Sequence, residues 1–113
     1  MITRAHRFHG YGSLNHTYSH GRTVRGQSLA LKYCKNPKRI DYRLAVVVSK
    51  KVHKSAVTRN RIRRRIYEII RKKTDLKSPY DMIISVYDEG AATCSNDNLE
   101  SQVMALIDKA GVS

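Results

Sequence analysis

Apolar residues recur along this chain with two periods, and the switches between them mark out the elements. Leu29, Leu31 and Tyr33 alternate with Ala30 and Lys32, so residues 23–34 are expected to form a strand with one buried face. Lys35-Asn36-Pro37-Lys38 reads as a turn. A second strand is expected over residues 42–49, where the run from Leu44 to Val48 is continuously apolar and so is covered in part on both faces. The period then changes. Ile62, Ile66, Ile69 and Ile70 fall at helical spacing, which predicts a helix from Ser55 or Ala56 to Lys73 with Ser55 as its N-cap. Pro79 marks the exit loop. Met82, Ile83, Ile84 and Val86 form a third strand over 81–87, and a loop follows. A last helix over 96–110 is capped by Ser95 or Asn96 and buries Leu99, Val103, Leu106, Ile107 and Ala110. Residues 11–20 fit a short helix with Ser13 as N-cap, Leu14 and Tyr18 on one face, and Gly21 as the stop.

Strand, helix, strand, helix in the second half is a βαβ unit with a covering helix. With the strands before it, the expected architecture is a small α+β sandwich of one sheet with helices on one face. The other sheet face, or a cleft at its edge, is then available for a ligand. At 113 residues the chain suits one domain, 1–113, with the basic residues 1–9 mobile or loosely docked.

Charge changes this picture most. The formal net charge is +13, and self-repulsion on that scale calls for an anionic partner. Half of the 22 Lys and Arg lie between Lys50 and Lys73, against one acid, Glu68. Within that stretch the five polar residues of Arg59-Asn60-Arg61-Ile62-Arg63-Arg64 cover every azimuth of the helix except its isoleucine stripe. Arginine can take two phosphate oxygens at once or stack on a base, and Asn60 can read a base edge or fix a phosphate. Ordinary solvated helices interleave acids, so nucleic acid is the expected partner. Glu68 lies four residues from Arg64 and Lys72, close enough for modest local pairing. Lys50 and Lys51 follow the second strand, and chain reversal there would set them beside the helix N-terminus as an anion site. Lys54 extends the same cationic stretch.

Other chemistries are disfavoured. The longest purely apolar run, from Leu44 to Val48, is too short for a membrane span, and the N-terminus has no apolar core for a signal peptide. Cys34 and Cys94 lack metal-ligand spacing and are expected to be reduced thiols in the cytoplasm. His16 and His20 are four apart, yet no Cys, Asp or Glu lies near them to complete a zinc site. The acids are scattered, with no carboxylate cluster for a protein-held Mg²⁺ and no nucleophile motif, so no residue of this chain is assigned a catalytic role.

The segment Leu44-Ala45-Val46-Val47-Val48-Ser49-Lys50-Lys51, followed by Arg59-Asn60-Arg61-Ile62-Arg63-Arg64, resembles the bacterial ribonuclease P protein component. That family shows a strand ending in Lys-Lys, a short spacer, and Arg-Asn-Arg-x-Lys/Arg-Arg on a helix. The resemblance extends to His20-Gly21, the strand around Leu29 to Leu31, Tyr80-Asp81 and the closing amphipathic helix. It implies an α-β-β-β-α-β-α fold of the ribosomal protein S5 domain 2-like kind, with a left-handed βαβ crossover against the general right-handed rule.

It also implies that catalysis belongs to a ribonuclease P RNA. That RNA, with Mg²⁺, removes the 5′ leader of precursor tRNA, while the protein binds both RNAs and needs no obligate protein partner. By position, Lys50, Lys51, Lys54, Arg59, Asn60, Arg61, Arg63 and Arg64 are expected to touch the catalytic RNA. Leu14, Tyr18, Lys32 and Val47 are expected to line the leader cleft between the sheet and the first helix. The chain departs from its relatives in the cleft, where Leu14 replaces an aromatic residue and Lys32 stands where some carry Tyr. Tyr67 replaces a common Arg, and Tyr87-Asp88 replaces residues that are often basic. A structural ribosomal protein of the same small fold is the alternative from another class. A protein-only nuclease or a helix-turn-helix DNA binder fits the pattern less well.

Overall fold

A computed structural model of the chain describes residues 21–26, 28–35, 42–72 and 80–111. In order these form β1 (Arg22–Arg25), β2 (Leu29–Lys35), β3 (Arg43–Val48), α1 (Ala56–Lys72), β4 (Tyr80–Val86), the short helix α2 (Gly90–Thr93) and α3 (Asn96–Ala110). The helix expected over 11–20, and residues 1–9, expected to be mobile or loosely docked, lie outside the described residues.

The four strands form one sheet in the order β1-β2-β4-β3. β1 and β4 flank β2 antiparallel, and β3 runs parallel to β4 at the edge. The parallel pair is joined through α1, so the expected βαβ unit is present. One expectation is corrected. Residues 23–34 do not form a single strand but fold into the β1–β2 hairpin. The Gly26 N–H donates to the Leu29 carbonyl at 2.8 Å and closes the turn. The Tyr87 hydroxyl, at the end of β4, donates to the Gly26 carbonyl and pins the hairpin to the sheet.

Alternation along the strands sorts the two sheet faces. Leu29, Leu31, Leu44, Val46, Val48, Met82, Ile84 and Val86 face the helices, and Ile62, Ile66 and Ile70 of α1 meet them with Leu99, Val103, Leu106 and Ile107 of α3. Full burial of one such side chain contributes about 1.5–3 kcal/mol, so the isoleucine stripe alone fixes which side of α1 is covered. Ile69, expected in that stripe, is only partly buried. α3 opens on Ser95, whose Oγ accepts from the Asn98 N–H at 3.1 Å, and ends at Gly111 in the left-handed conformation.

The opposite sheet face is less open than expected. In one cross-strand row Thr23, Lys32, Ile83 and Ala45 stand side by side, and Ile83 is fully buried. At one end of that face Arg43 and Asp81, directly opposite on β3 and β4, form a buried two-pronged ion pair at 2.8 and 2.7 Å. Exposure concentrates at the other end, where Val47 is 37% exposed. On the edge strand, the Tyr67 hydroxyl accepts from the Val46 N–H at 3.2 Å and satisfies a donor that an edge would otherwise leave open.

Candidate nucleic-acid interface

The interface is built where β3 hands the chain to α1. The Val52 N–H donates to the Ser49 carbonyl at 3.0 Å, closing a turn with Lys50 and Lys51 exposed at its centre. Val52 itself is 4% exposed and anchors the turn in the core. The chain then passes through half-buried His53, whose Nδ1 accepts from the Ser55 N–H at 3.1 Å. Ser55 Oγ accepts from the Thr58 N–H at 3.3 Å, and the Ser55 carbonyl accepts the first helical bond from Arg59 at 3.0 Å. Ser55 is therefore the N-cap, as expected. No acid lies in the first turn of α1, so its positive end is not offset.

The arginines of α1 divide by azimuth. Asn60, Arg61 and Arg64 are exposed on the side away from the isoleucines. Arg59 is half-buried and folds back on the loop, its Nη1 donating to the His53 carbonyl at 3.0 Å and the Lys54 carbonyl at 2.9 Å. It thus ties the loop that follows the lysine turn to the helix, and Nε and Nη2 stay outside these two bonds. Arg63 is half-buried and donates to Asn60 Oδ1. Lys54 is exposed. Arg65, on the other flank, donates to the carbonyls of Ala91 at 3.1 Å and Cys94 at 2.6 Å. These carbonyls sit in and just beyond α2, where a cation complements the helix end.

Two hollows border the exposed face. One, of about 490 Å³ between α1 and α3, is lined by Arg61, Arg64, Arg65 and Lys72 with Glu68 and Glu100 over Ile69. The other, of about 510 Å³, lies between His53, Thr58 and Arg61 and the β4–α2 connection. Arg61 borders both. Glu68 pairs with Arg71 at 2.7 Å, three residues on, where the sequence pointed to Arg64 and Lys72. The Arg71 guanidinium holds the Glu68 carboxyl well below the usual carboxylate range.

Sequence reasoning missed several roles. It left α2 as a loop and gave no task to Arg65. The departures Tyr67 and Tyr87 both hold β-structure, as described above, and Asp88 Oδ1 accepts from the Gly90 N–H at 3.0 Å at the start of α2. Of the expected cleft residues, Lys32 and Val47 share the sheet face away from the helices, in adjacent cross-strand rows. Lys32 is half-buried and Val47 exposed. Leu14 and Tyr18 lie outside the described residues.

A basic helix capped beside a lysine turn, on a β-β-β-α-β-α-α frame, can now be set against known proteins. The family profile described as Ribonuclease P matches residues 2–111. The chain belongs to the ribonuclease P protein family. It is 41% identical over 103 residues to the "Ribonuclease P protein component" of Clostridium botulinum (strain Loch Maree / Type A3), covering 86% of each chain. It is 30% identical over 126 aligned positions to the protein of the same name from Synechococcus sp. (strain RCC307), covering 100% of this chain and 98% of the relative. A Staphylococcus aureus RNase P protein mutant superposes with a TM-score of 0.88 at 24% identity, covering 97% of this chain and 92% of that one. The α+β fold expected from the sequence is thus the family's own. As a ribonuclease P protein component, the chain takes part in tRNA 5′ processing with the RNA subunit, as part of a ribonucleoprotein enzyme. Family membership decides against the ribosomal-protein, protein-only nuclease and helix-turn-helix alternatives. No helix among the described residues is long and apolar enough to cross a membrane.

Proposed function

We propose that the chain, as one domain, docks on ribonuclease P RNA through the lysine turn and the outward face of α1, and holds the 5′ leader of precursor tRNA on the sheet face away from the helices. The observation that carries the first part is the tie of the loop after that turn to the helix. Ser55 caps α1 and Arg59 bridges two carbonyls of the intervening loop, so Lys50, Lys51 and Lys54 are held beside Asn60, Arg61 and Arg64. Cations carried on a tethered backbone leave less main-chain entropy to lose on meeting phosphates, which favours one structured RNA over a generic polyanion. Arg63, bonded to Asn60, orients that side chain and adds its own charge.

For the leader, Lys32 supplies phosphate attraction and Val47 an apolar contact on one sheet face, with Leu14 and Tyr18 contributing from outside the described residues. Tyr18 can stack on an unpaired base, worth about 1–3 kcal/mol, whereas Leu14 cannot. Mg²⁺ is assigned to the RNA. Among the described residues no three His, Cys, Asp or Glu side chains converge. Phosphodiester hydrolysis is the work of the RNA subunit, in keeping with family membership, and this chain orients substrate and neutralises phosphate charge. The cytoplasm is the proposed compartment, in keeping with two free thiols.

The leader assignment is tested by replacing Lys32 or Val47 with a cysteine carrying a photoactivatable azide, in the reconstituted holoenzyme. Crosslinks to the leader are expected from both positions. Crosslinks confined to the mature tRNA body would remove the leader from this face.

A further inference from the structure

A second cationic surface lies at the far end of the sheet from the lysine turn, and the RNA-docking face does not use it. Tyr33 of β2 and Tyr80 of β4 meet edge to face, ring centroids 6.2 Å apart and planes at 63°. Each ring stands directly opposite a cation on the neighbouring strand. Arg22 pairs with Tyr33 across β1–β2, and Lys35 pairs with Tyr80 across β2–β4. The four side chains therefore alternate cation and aromatic on the helix-bearing face of the sheet.

α3 ends beside that part of the face. Ala110 is its last residue, and Gly111 ends it in the left-handed conformation. A hollow of about 320 Å³ there is lined, among the described residues, by Arg22, Tyr33, Cys34, Lys35, Tyr80 and Ala110, with no acid in that described set. Arg22 and Lys35 are exposed, and both tyrosines are half-buried.

A core-edge tyrosine pair needs no cation opposite each ring, and a solubilising cation needs no aromatic. Their one-to-one pairing across two strand ladders suits a ligand with a flat π-face and an attached negative charge. An unpaired nucleotide has both, and base stacking on sheet aromatics is a recurrent way of holding single-stranded RNA. The size fits one base with its sugar and lies within the usual range for small ligand sites.

We propose that Tyr33, Tyr80, Arg22 and Lys35 form a second RNA subsite that takes one unpaired nucleotide, its base against the tyrosines and its phosphate between the two cations. The proposal rests on the RNA-binding reading above but concerns a different surface. The site lies on the sheet face opposite Lys32 and Val47. It is also a strand's length from the lysine turn, about 20 Å at 3.3 Å per residue. The nucleotide can belong to the RNA subunit or to precursor tRNA, and the probes separate the two.

The test uses the full chain and a six-nucleotide oligouridylate carrying one 4-thiouridine, crosslinked by near-ultraviolet light and mapped by mass spectrometry. Crosslinks at Tyr33 or Tyr80 are expected. Reversing both cations (Arg22→Glu with Lys35→Glu), both exposed and safe for folding, is expected to lower their yield at least about fivefold, the equivalent of one weak stacking contact. Tyr80→Leu, which keeps apolar volume, should do the same, while Lys50→Ala with Lys51→Ala should leave these crosslinks in place. In the holoenzyme, 4-thiouridine in the RNA subunit or in the precursor tRNA then assigns the source. Absence of tyrosine crosslinks while α1 still crosslinks would overturn the subsite alone, as would yields unmoved by charge reversal. Tyrosine crosslinks lost on mutating Lys50 and Lys51 would make the site an extension of the main interface and overturn its independence. Absence of crosslinks everywhere would overturn the RNA-docking reading together with the subsite.

Discussion

Arg59 stands first in the arginine motif, yet its Nη1 is spent on the carbonyls of His53 and Lys54. Replacing it with Ala should therefore cost stability as well as charge. Bonds from a charged donor contribute about 1.5–3 kcal/mol each, but Lys54 is exposed and water can replace part of the loss, so about 1–2 kcal/mol is expected for the pair. For a chain of 113 residues the unfolding entropy is about 0.24 kcal/mol/K, from about 2.1 cal/mol/K per residue. The melting temperature of Arg59→Ala should accordingly fall by about 4–8 °C. Arg64 is exposed on the outward face, and Arg64→Ala should stay within about 2 °C of the parent, as surface changes usually do. Arg59→Lys keeps the charge but cannot reproduce the planar two-pronged reach, so it should melt between the parent and Arg59→Ala. Circular dichroism melts of the three variants at neutral pH measure this directly. Equal melting of Arg59→Ala and Arg64→Ala would refute the tether and return Arg59 to the role of a simple phosphate contact.

Three further outcomes follow from the geometry. Asp81→Asn leaves the Arg43 guanidinium buried against a neutral amide, so urea unfolding should show a loss of about 3 kcal/mol; a loss under about 1 kcal/mol would mean the pair is not desolvated in solution. The double variant Arg61→Ala with Arg64→Ala should flatten the log–log salt dependence of RNA-subunit binding by about 1.5 units, and an unchanged slope would move the contact surface off this face of α1. Glu68 has a lowered folded-state pKa, so its pairing with Arg71 contributes above the unfolded-state pKa and is lost as pH falls through the lowered value. Melting temperatures of Glu68→Gln and the parent should hold a constant small difference from pH 6 to pH 8 and converge in acid; divergence in acid would reverse the sign.

What the sequence made legible followed from periodicity and from one ordered motif. Ile62, Ile66 and Ile70 fixed the buried side of α1, and Ser55 and Ser95 announced both helix starts. The hairpin within residues 22–35 was hidden because Gly26-Gln27-Ser28 is a weak turn signal inside an otherwise strand-like run. The Arg43–Asp81 pair depends on the parallel register of β3 and β4, which no local pattern specifies. Arg59, Arg63, Arg64 and Arg65 look alike as letters. Only their azimuth on α1, and the carbonyls within reach of Arg59 and Arg65, separates tethers from outward contacts. Tyr67 and Tyr87 read as losses of positive charge until their hydroxyls are seen serving Val46 and Gly26.

The central claim is that this chain serves an RNA catalyst and does not cut RNA itself. Reconstitution with the cognate RNA subunit and a 5′-labelled precursor tRNA, titrated with Mg²⁺, tests it most directly. The account predicts no cleavage by the protein alone, and cleavage by the RNA at a lower Mg²⁺ concentration when the protein is present. Cleavage by RNA-free protein purified of contaminating nucleases, or a Mg²⁺ requirement that the protein leaves unmoved, would contradict it.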